Sequence, residues 1–92
     1  MQVLEYQTIE KEVVPSLTFK KEVSLKQHPD LREQIEKATL LGNGYRTKVS
    51  IYFYDDEGLK RVETTIWAVT DKYICLKGGV YLLIASIIDV VF

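Results

Sequence analysis

Histidine is the first side chain of this 92-residue chain to consider for catalysis, because imidazole can act as a base near neutral pH. His28 is the one histidine, and it stands beside Pro29 with no nucleophile motif near it. A hydrolase would use this imidazole to activate a serine or a cysteine. The surrounding sequence is instead typical of a solvated residue at the start of a helix. We therefore expect a protein that is not an enzyme.

Two other features could bind a metal ion. The acidic run Asp55-Asp56-Glu57 could hold a hard cation, but it lacks the alternating oxygen ligands and the terminal glutamate of a calcium loop. Followed by Gly58, it predicts a solvated hairpin turn. Cys75 is the only cysteine, so it can form neither an internal disulfide nor a cysteine-rich zinc site. We expect Cys75 to be a small buried hydrophobic residue, and we expect no metal or cofactor.

The most suggestive pattern is a series of basic and aromatic residues at alternate positions. Arg46, Lys48, Tyr52 and Tyr54 would share one face of a strand, and the next strand would add two neighbours. Aromatic and basic side chains interleaved on a sheet can stack the bases and hold the phosphates of single-stranded RNA. A sheet covered on both faces would show the same aromatic enrichment, so both alternatives stay open. The candidate binding residues are Arg46, Lys48, Tyr52, Tyr54, Arg61 and Trp67.

Composition limits the class of protein. A content of 47% apolar and 27% charged residues in 92 residues is typical of one globular domain, here spanning residues 1–92. The net charge of −1 predicts no strong electrostatic field, so duplex DNA is not an expected partner. The apolar run from Val80 to Ile88 is shorter than the roughly 20 residues of a membrane helix. No basic-then-apolar signal pattern opens the chain, and we expect a cytoplasmic protein.

The elements that would position these residues are mainly strands. In the first, Val49, Ile51 and Phe53 alternate with polar residues, which predicts one buried face. Long β-rich strands joined by tight turns predict a small five-stranded SH3-like or Sm-like barrel over residues 45–91. The predicted strands are Tyr45–Asp55, Lys60–Val69, Tyr73–Lys77, Val80–Ile84 and Ile88–Val91.

One short helix is predicted before the barrel, over residues 30–41. Asp30 and Glu33 have the spacing of a capping box. The run Gly42-Asn43-Gly44 would end the helix, because a glycine there can adopt a left-handed conformation. We expect the helix to lie across an open end of the barrel. Its apolar stripe consists of Leu31, Ile35, Ala38 and Leu41.

Residues 1–27 are predicted to form an extended N-terminal arm. The segment Gln2–Val14 fits either a helix or a strand, and its β-branched and aromatic residues favour a strand. Pro15 would end that segment. Leu17–Leu25 has the alternation of a second strand, in which Lys21 alone would point inward, as charges do on some edge strands.

The segment from Ile66 to Ile87 runs strand, turn, strand, Gly78-Gly79 turn, strand and short turn, after a helix. In that order it resembles the Sm-like and Rof-like small barrels over about residues 30–91. The resemblance implies an SH3-like barrel and an interaction role. The chain lacks the Arg-Gly turn of the Sm signature, so no functional residue is transferred. The segment also looks like a family of short bacterial proteins, which implies no particular activity.

Three functional hypotheses follow. The first is a non-enzymatic interaction module that binds protein or single-stranded RNA through a barrel face. The second is a structural protein that forms homo-oligomers through its edge strands, since Ile88, Val90, Val91 and Phe92 give the C-terminal strand an apolar edge. The third is a hydrolase that uses His28.

Overall fold

A computed structural model describes residues 6–20 and 27–92 of the chain. Within these residues the protein is mainly β with one α-helix, as the sequence predicts. The helix, α1, spans Leu31–Tyr45. Two short 3-10 helices span Lys11–Ser16 and Ile84–Ser86. The strands are β1 (Gln7–Ile9), β2 (Val49–Asp55), β3 (Gly58–Thr64), β4 (Ile66–Val69), β5 (Tyr73–Leu76), β6 (Val80–Leu83) and β7 (Ile87–Val91).

The strands form two open sheets. The first sheet has the order β1-β3-β2-β7, in which β1 and β3 are parallel and the other pairs antiparallel. The second sheet has the antiparallel order β4-β5-β6. A closed barrel requires the strand ladder to continue around the whole circumference, whereas among residues 6–20 and 27–92 each sheet ends in two edge strands. The prediction of one closed five-stranded barrel is therefore wrong.

The predicted strand Lys60–Val69 is in fact two strands that belong to different sheets. β3 pairs with β2, β4 pairs with β5, and Thr65 lies between them outside both ladders. The Thr65 carbonyl accepts a hydrogen bond of 2.9 Å from the Lys77 amide. Thr64, Thr65 and Ile66 are all buried in succession, which a regular strand with one solvent face does not allow. The chain thus bends at Thr65 and passes from the first sheet into the second.

The core lies between the two sheets and α1. Val49, Ile51 and Phe53 are buried, which confirms the alternation predicted for β2. α1 packs against β4 in the second sheet and against β7 in the first. Of its predicted stripe, Leu31, Ile35 and Ala38 are buried and Leu41 is half-buried. The helix therefore bridges the two sheets with the apolar face predicted for it. Within residues 6–20 and 27–92, no helix has the length and apolar character needed to cross a membrane.

The ends of α1 differ from the prediction. Asp30 precedes the helix, but its side chain makes no capping hydrogen bond, so the predicted capping box does not form. Instead, the Asp30 amide donates a hydrogen bond to Nδ1 of His28 at 3.1 Å. At the other end the helix continues through Gly42-Asn43-Gly44 to Tyr45. The left-handed residue that ends it is Arg46, with φ 55°.

The N-terminal arm is only partly extended. β1 covers Gln7–Ile9, and Lys11–Ser16 forms a 3-10 helix that contains Pro15 and lies against β6. The predicted strand Leu17–Leu25 is wrong over residues 17–20, which have no regular structure. Residues 21–25, including Lys21, lie outside the described residues.

The acidic turn between β2 and β3 also differs from the prediction of a fully solvated turn. Oδ1 of Asp55 accepts hydrogen bonds from the amides of Glu57 and Gly58 and pairs with Nζ of Lys60 at 3.0 Å. The Asp55 and Lys60 side chains are only 1% and 5% exposed. Buried charges require such a partner. Asp55 is therefore part of the folded structure of the hairpin; of the acidic run, Asp56 is half-buried and Glu57 is exposed.

Candidate nucleic-acid interface

The six candidate residues do not form one face. Tyr52, Tyr54 and Arg61 lie on the outer face of the first sheet, opposite the core. Arg46 ends α1, and Trp67 lies on β4 in the second sheet. Lys48 is exposed in the segment that leads into β2. The predicted face is divided because α1 is longer than expected, and because Thr65 directs Trp67 into the other sheet.

On the first sheet, the candidate side chains are occupied by neighbours. The Arg61 guanidinium donates to Oγ of Ser50 at 2.8 Å and pairs with Glu63 at 3.2 Å. The ring of Tyr6 stands edge-on to the ring of Tyr52, with 5.3 Å between centroids. Tyr52 and Tyr54 are half-buried. On this part of the predicted face, Arg61 is therefore engaged by Ser50 and Glu63, and Tyr52 is in contact with Tyr6, the residue just before β1.

A groove lies where the end of α1 meets the second sheet. It has a volume of about 320 Å³. Arg46 and Trp67 are the only members of the predicted set that reach it. The sequence did not point to the other lining residues. Among the described residues, the groove is lined by Gly42, Asn43, Arg46, Thr65, Trp67 and Lys77.

Backbone contacts hold the walls of this groove in place. Nδ2 of Asn43 donates to the carbonyl oxygens of Thr39 and Trp67, each at 2.9 Å, and so ties the last turn of α1 to β4. A Cβ at Gly42 would lie within contact distance of the Ile66 carbonyl oxygen, so the helix and the strand approach as closely as glycine allows. The Lys77 amide is fixed by Thr65 on the far wall. The groove is therefore built on rigid elements.

The charged and aromatic side chains of the groove are available to a ligand. Arg46 and Lys77 are exposed, and within residues 6–20 and 27–92 neither side chain forms a salt bridge. Trp67 is 45% exposed. Two cations beside an exposed indole can neutralise phosphate and stack a base or another flat ring.

The other candidate chemistries have different surroundings. His28 is half-buried at the start of α1, where its Nδ1 accepts the Asp30 amide hydrogen bond. Cys75 is half-buried rather than buried, and its thiol is free. Over the described ranges, no three His, Cys, Asp or Glu side chains come together as a metal ion would need. Neither His28 nor Cys75 is among the residues that line the groove.

Comparisons with known proteins add no information about the function of this site. No protein-family model, curated protein or solved structure matches the chain.

Proposed function

We propose that this protein is a non-enzymatic binding module for single-stranded RNA, which enters the groove between the end of α1 and β4. The observation that carries the proposal is the exposed indole of Trp67 in a groove that two exposed cations, Arg46 and Lys77, also line; over residues 6–20 and 27–92 neither cation forms a salt bridge. Phosphates would contact the cations and a base would stack on the indole. The resemblance to the Sm-like and Rof-like groups remains a prediction and adds no residue to this site.

Single-stranded RNA fits these features better than a duplex or a folded protein. A base splayed out of a single strand offers a flat face to the indole, which a base inside a duplex does not. With a net charge of −1, the protein has no broad positive field to attract a duplex. A groove of about 320 Å³ is at the small end of the range for a ligand pocket, which suits one nucleotide unit better than a protein segment.

The test uses the fluorescence of Trp67, which is the only tryptophan in the sequence. Titration with oligouridylate and oligoadenylate twelve-mers at low salt should quench this emission as a base stacks on the indole. The two groove cations should contribute about −1.4 to the logarithmic slope of affinity against salt, which is two phosphate contacts in a single strand at about −0.7 each.

Matched charge reversals locate the site. Arg46→Glu and Lys48→Glu make the same charge change two residues apart, but only Arg46 lines the groove. We expect Arg46→Glu to abolish most of the binding and Lys48→Glu to leave it nearly unchanged. Equal losses in the two variants would mean that binding follows total charge and not the groove. Capture of a protein partner that both variants retain would contradict the RNA proposal.

Edge-strand assembly has one observation in its favour. Val91 and Phe92, at the end of β7, are 45% and 52% exposed. However, the carbonyl of Ile88, the second residue of β7, already accepts a hydrogen bond of 2.8 Å from the His28 amide. This contact leaves less of the strand free to pair with a second copy. Sedimentation velocity over a wide concentration range tests this second candidate, and a monomer at the highest concentration would remove it.

A further inference from the structure

The outer face of the second sheet is aromatic and largely uncovered. Tyr73 on β5 and Tyr81 on β6 are 42% and 63% exposed, and Trp67 on β4 is 45% exposed. In the ladder, Cys75 stands opposite Ala68 on one side and opposite Tyr81 on the other. Ala68, Cys75 and Tyr81 therefore form one row across the sheet, with Tyr73 two residues before Cys75 on β5. Trp67 precedes Ala68 at a register shift in β4. We call this surface the aromatic platform: Trp67, Ala68, Tyr73, Cys75 and Tyr81.

The geometry of the platform suits flat ligands. The rings of Tyr73 and Tyr81 stand at 85° to each other with centroids 6.4 Å apart. The two rings thus present surfaces in different directions. Trp67 and Tyr81 lie two strands apart, about 10 Å at the usual spacing between neighbouring strands. Ala68 and Cys75 between them carry small side chains, so a planar group that lies against one of the rings meets no bulky side chain in that row.

The size of the platform argues against a second protein as its occupant. An aromatic side chain carries about 150–250 Å² of surface, so the exposed parts of these three rings amount to roughly 300 Å². A stable protein interface buries about 800 Å² on each partner. A patch of roughly 300 Å² is as large as the main apolar patch of many monomers, and such patches are often functional.

The charges around the platform select the ligand. Lys72 and Lys77 flank β5 at its two ends, and both are exposed. The distance between them is about 17 Å in an extended strand. Asp71 is the only carboxylate between residues 65 and 83. β5, which carries Tyr73 and Cys75, is therefore flanked in sequence by two exposed cations, and aromatic rings with cations nearby suit bases joined by phosphates.

We infer that the platform continues the RNA site beyond the groove, with bases stacked on Tyr73 and Tyr81 after the first base on Trp67. This inference rests on the proposed function and adds a path to it. From the groove at Arg46 and Lys77, the RNA strand crosses β5 and reaches β6. Lys72 contacts the RNA backbone at the end of this path away from the groove. Aromatic side chains on a sheet stack two or three bases in this manner in other RNA-binding domains.

The test compares RNA lengths and ring substitutions. Wild-type protein should bind an eight-nucleotide oligouridylate more tightly than a dinucleotide. Tyr81→Leu and Tyr73→Leu keep an apolar side chain but remove the ring. Each should weaken binding of the eight-mer by between about 5-fold and about 100-fold, the usual effect of losing one stacked base. Neither substitution should change dinucleotide binding, which uses Trp67 alone.

Two further variants serve as controls. Tyr81→Phe keeps the ring and should bind the eight-mer as the wild type does. Tyr54→Leu makes the same change on the first sheet and should also leave binding unchanged. If both leucine variants on the platform bind the eight-mer like the wild type while Trp67 is still quenched, the inference is wrong and the groove proposal stands. If no RNA quenches wild-type Trp67, both are wrong.

Discussion

Gly42 is the residue at which the packing of α1 on β4 can be tested most sharply. Replacing a glycine inside a helix by alanine normally stabilises the helix by about 0.5–1 kcal/mol. At Gly42 the new Cβ would fall inside contact distance of the Ile66 carbonyl oxygen and 2.8 Å from Cγ2 of Thr65. The threonine methyl group can rotate away, but the carbonyl belongs to the backbone of β4. The helix and the strand must therefore separate.

Gly44 provides a matched control two residues along the same helix. Apart from its chain neighbours and the nearby backbone of the helix itself, a Cβ at Gly44 would meet nothing within 4 Å. We expect Gly44→Ala to raise the free energy of unfolding by up to about 1 kcal/mol. We expect Gly42→Ala to lower it by about 1–2 kcal/mol, because overpacking typically costs about 1–3 kcal/mol and the helix propensity recovers part of that.

Urea denaturation followed by circular dichroism measures both effects. A difference of about 2 kcal/mol between the variants moves the midpoint by about 1–2 M if the slope is about 1–2 kcal/mol per molar. The native emission of Trp67 should also change in Gly42→Ala, since both residues line the groove, and should stay the same in Gly44→Ala. Two variants that are stabilised equally would refute the close approach of α1 to β4.

Two other predictions concern charged side chains. Lys60→Met leaves the buried Asp55 carboxylate without its cation, so urea denaturation should show that the free energy of unfolding falls by about 3–5 kcal/mol. Adding Asp55→Asn should recover part of this loss. A double variant as unstable as the single one would contradict this reasoning. The Glu12 pKa should lie below the ordinary 4.5 in an NMR titration, because of a backbone hydrogen bond and then the Lys11 ammonium. Its small stabilising effect is present above the ordinary pKa and is lost as the pH falls through the lowered value, and Lys11→Met should bring the pKa back toward 4.5.

Local patterns predicted the elements whose residues obey one simple periodicity. The alternation Val49, Ile51, Phe53 gave β2 its correct buried face, and Leu31, Ile35 and Ala38 identified the buried stripe of α1. Neither inference needed knowledge of the partner element, because burial on one face follows from the period of a strand or a helix. The hairpin through Gly58 could be predicted for the same local reason.

The errors occurred where a residue serves a distant contact. Gly42 resembles a helix stop, yet its role is to let α1 approach the Ile66 carbonyl, which depends on a strand more than twenty residues away. Thr65 has the sequence character of an ordinary strand residue, but the corner it makes sends Trp67 to the second sheet. The aromatic platform could have been predicted from the sequence, because Tyr73, Cys75 and Lys77 alternate on one predicted strand and Tyr81 lies on the next.

The order in which the first sheet pairs has a consequence for how the chain acquires its shape. β2 and β3 are joined by a tight turn and can associate early, but β1 pairs with residues 60–62 and β7 pairs back to residues 50–53. Closing such distant pairs slows the search for the native state. During synthesis, the apolar face of α1 cannot pack against β7 until Val91 has left the ribosome. About half of the chain is made after α1, and throughout that time this apolar face is incompletely covered and can promote aggregation.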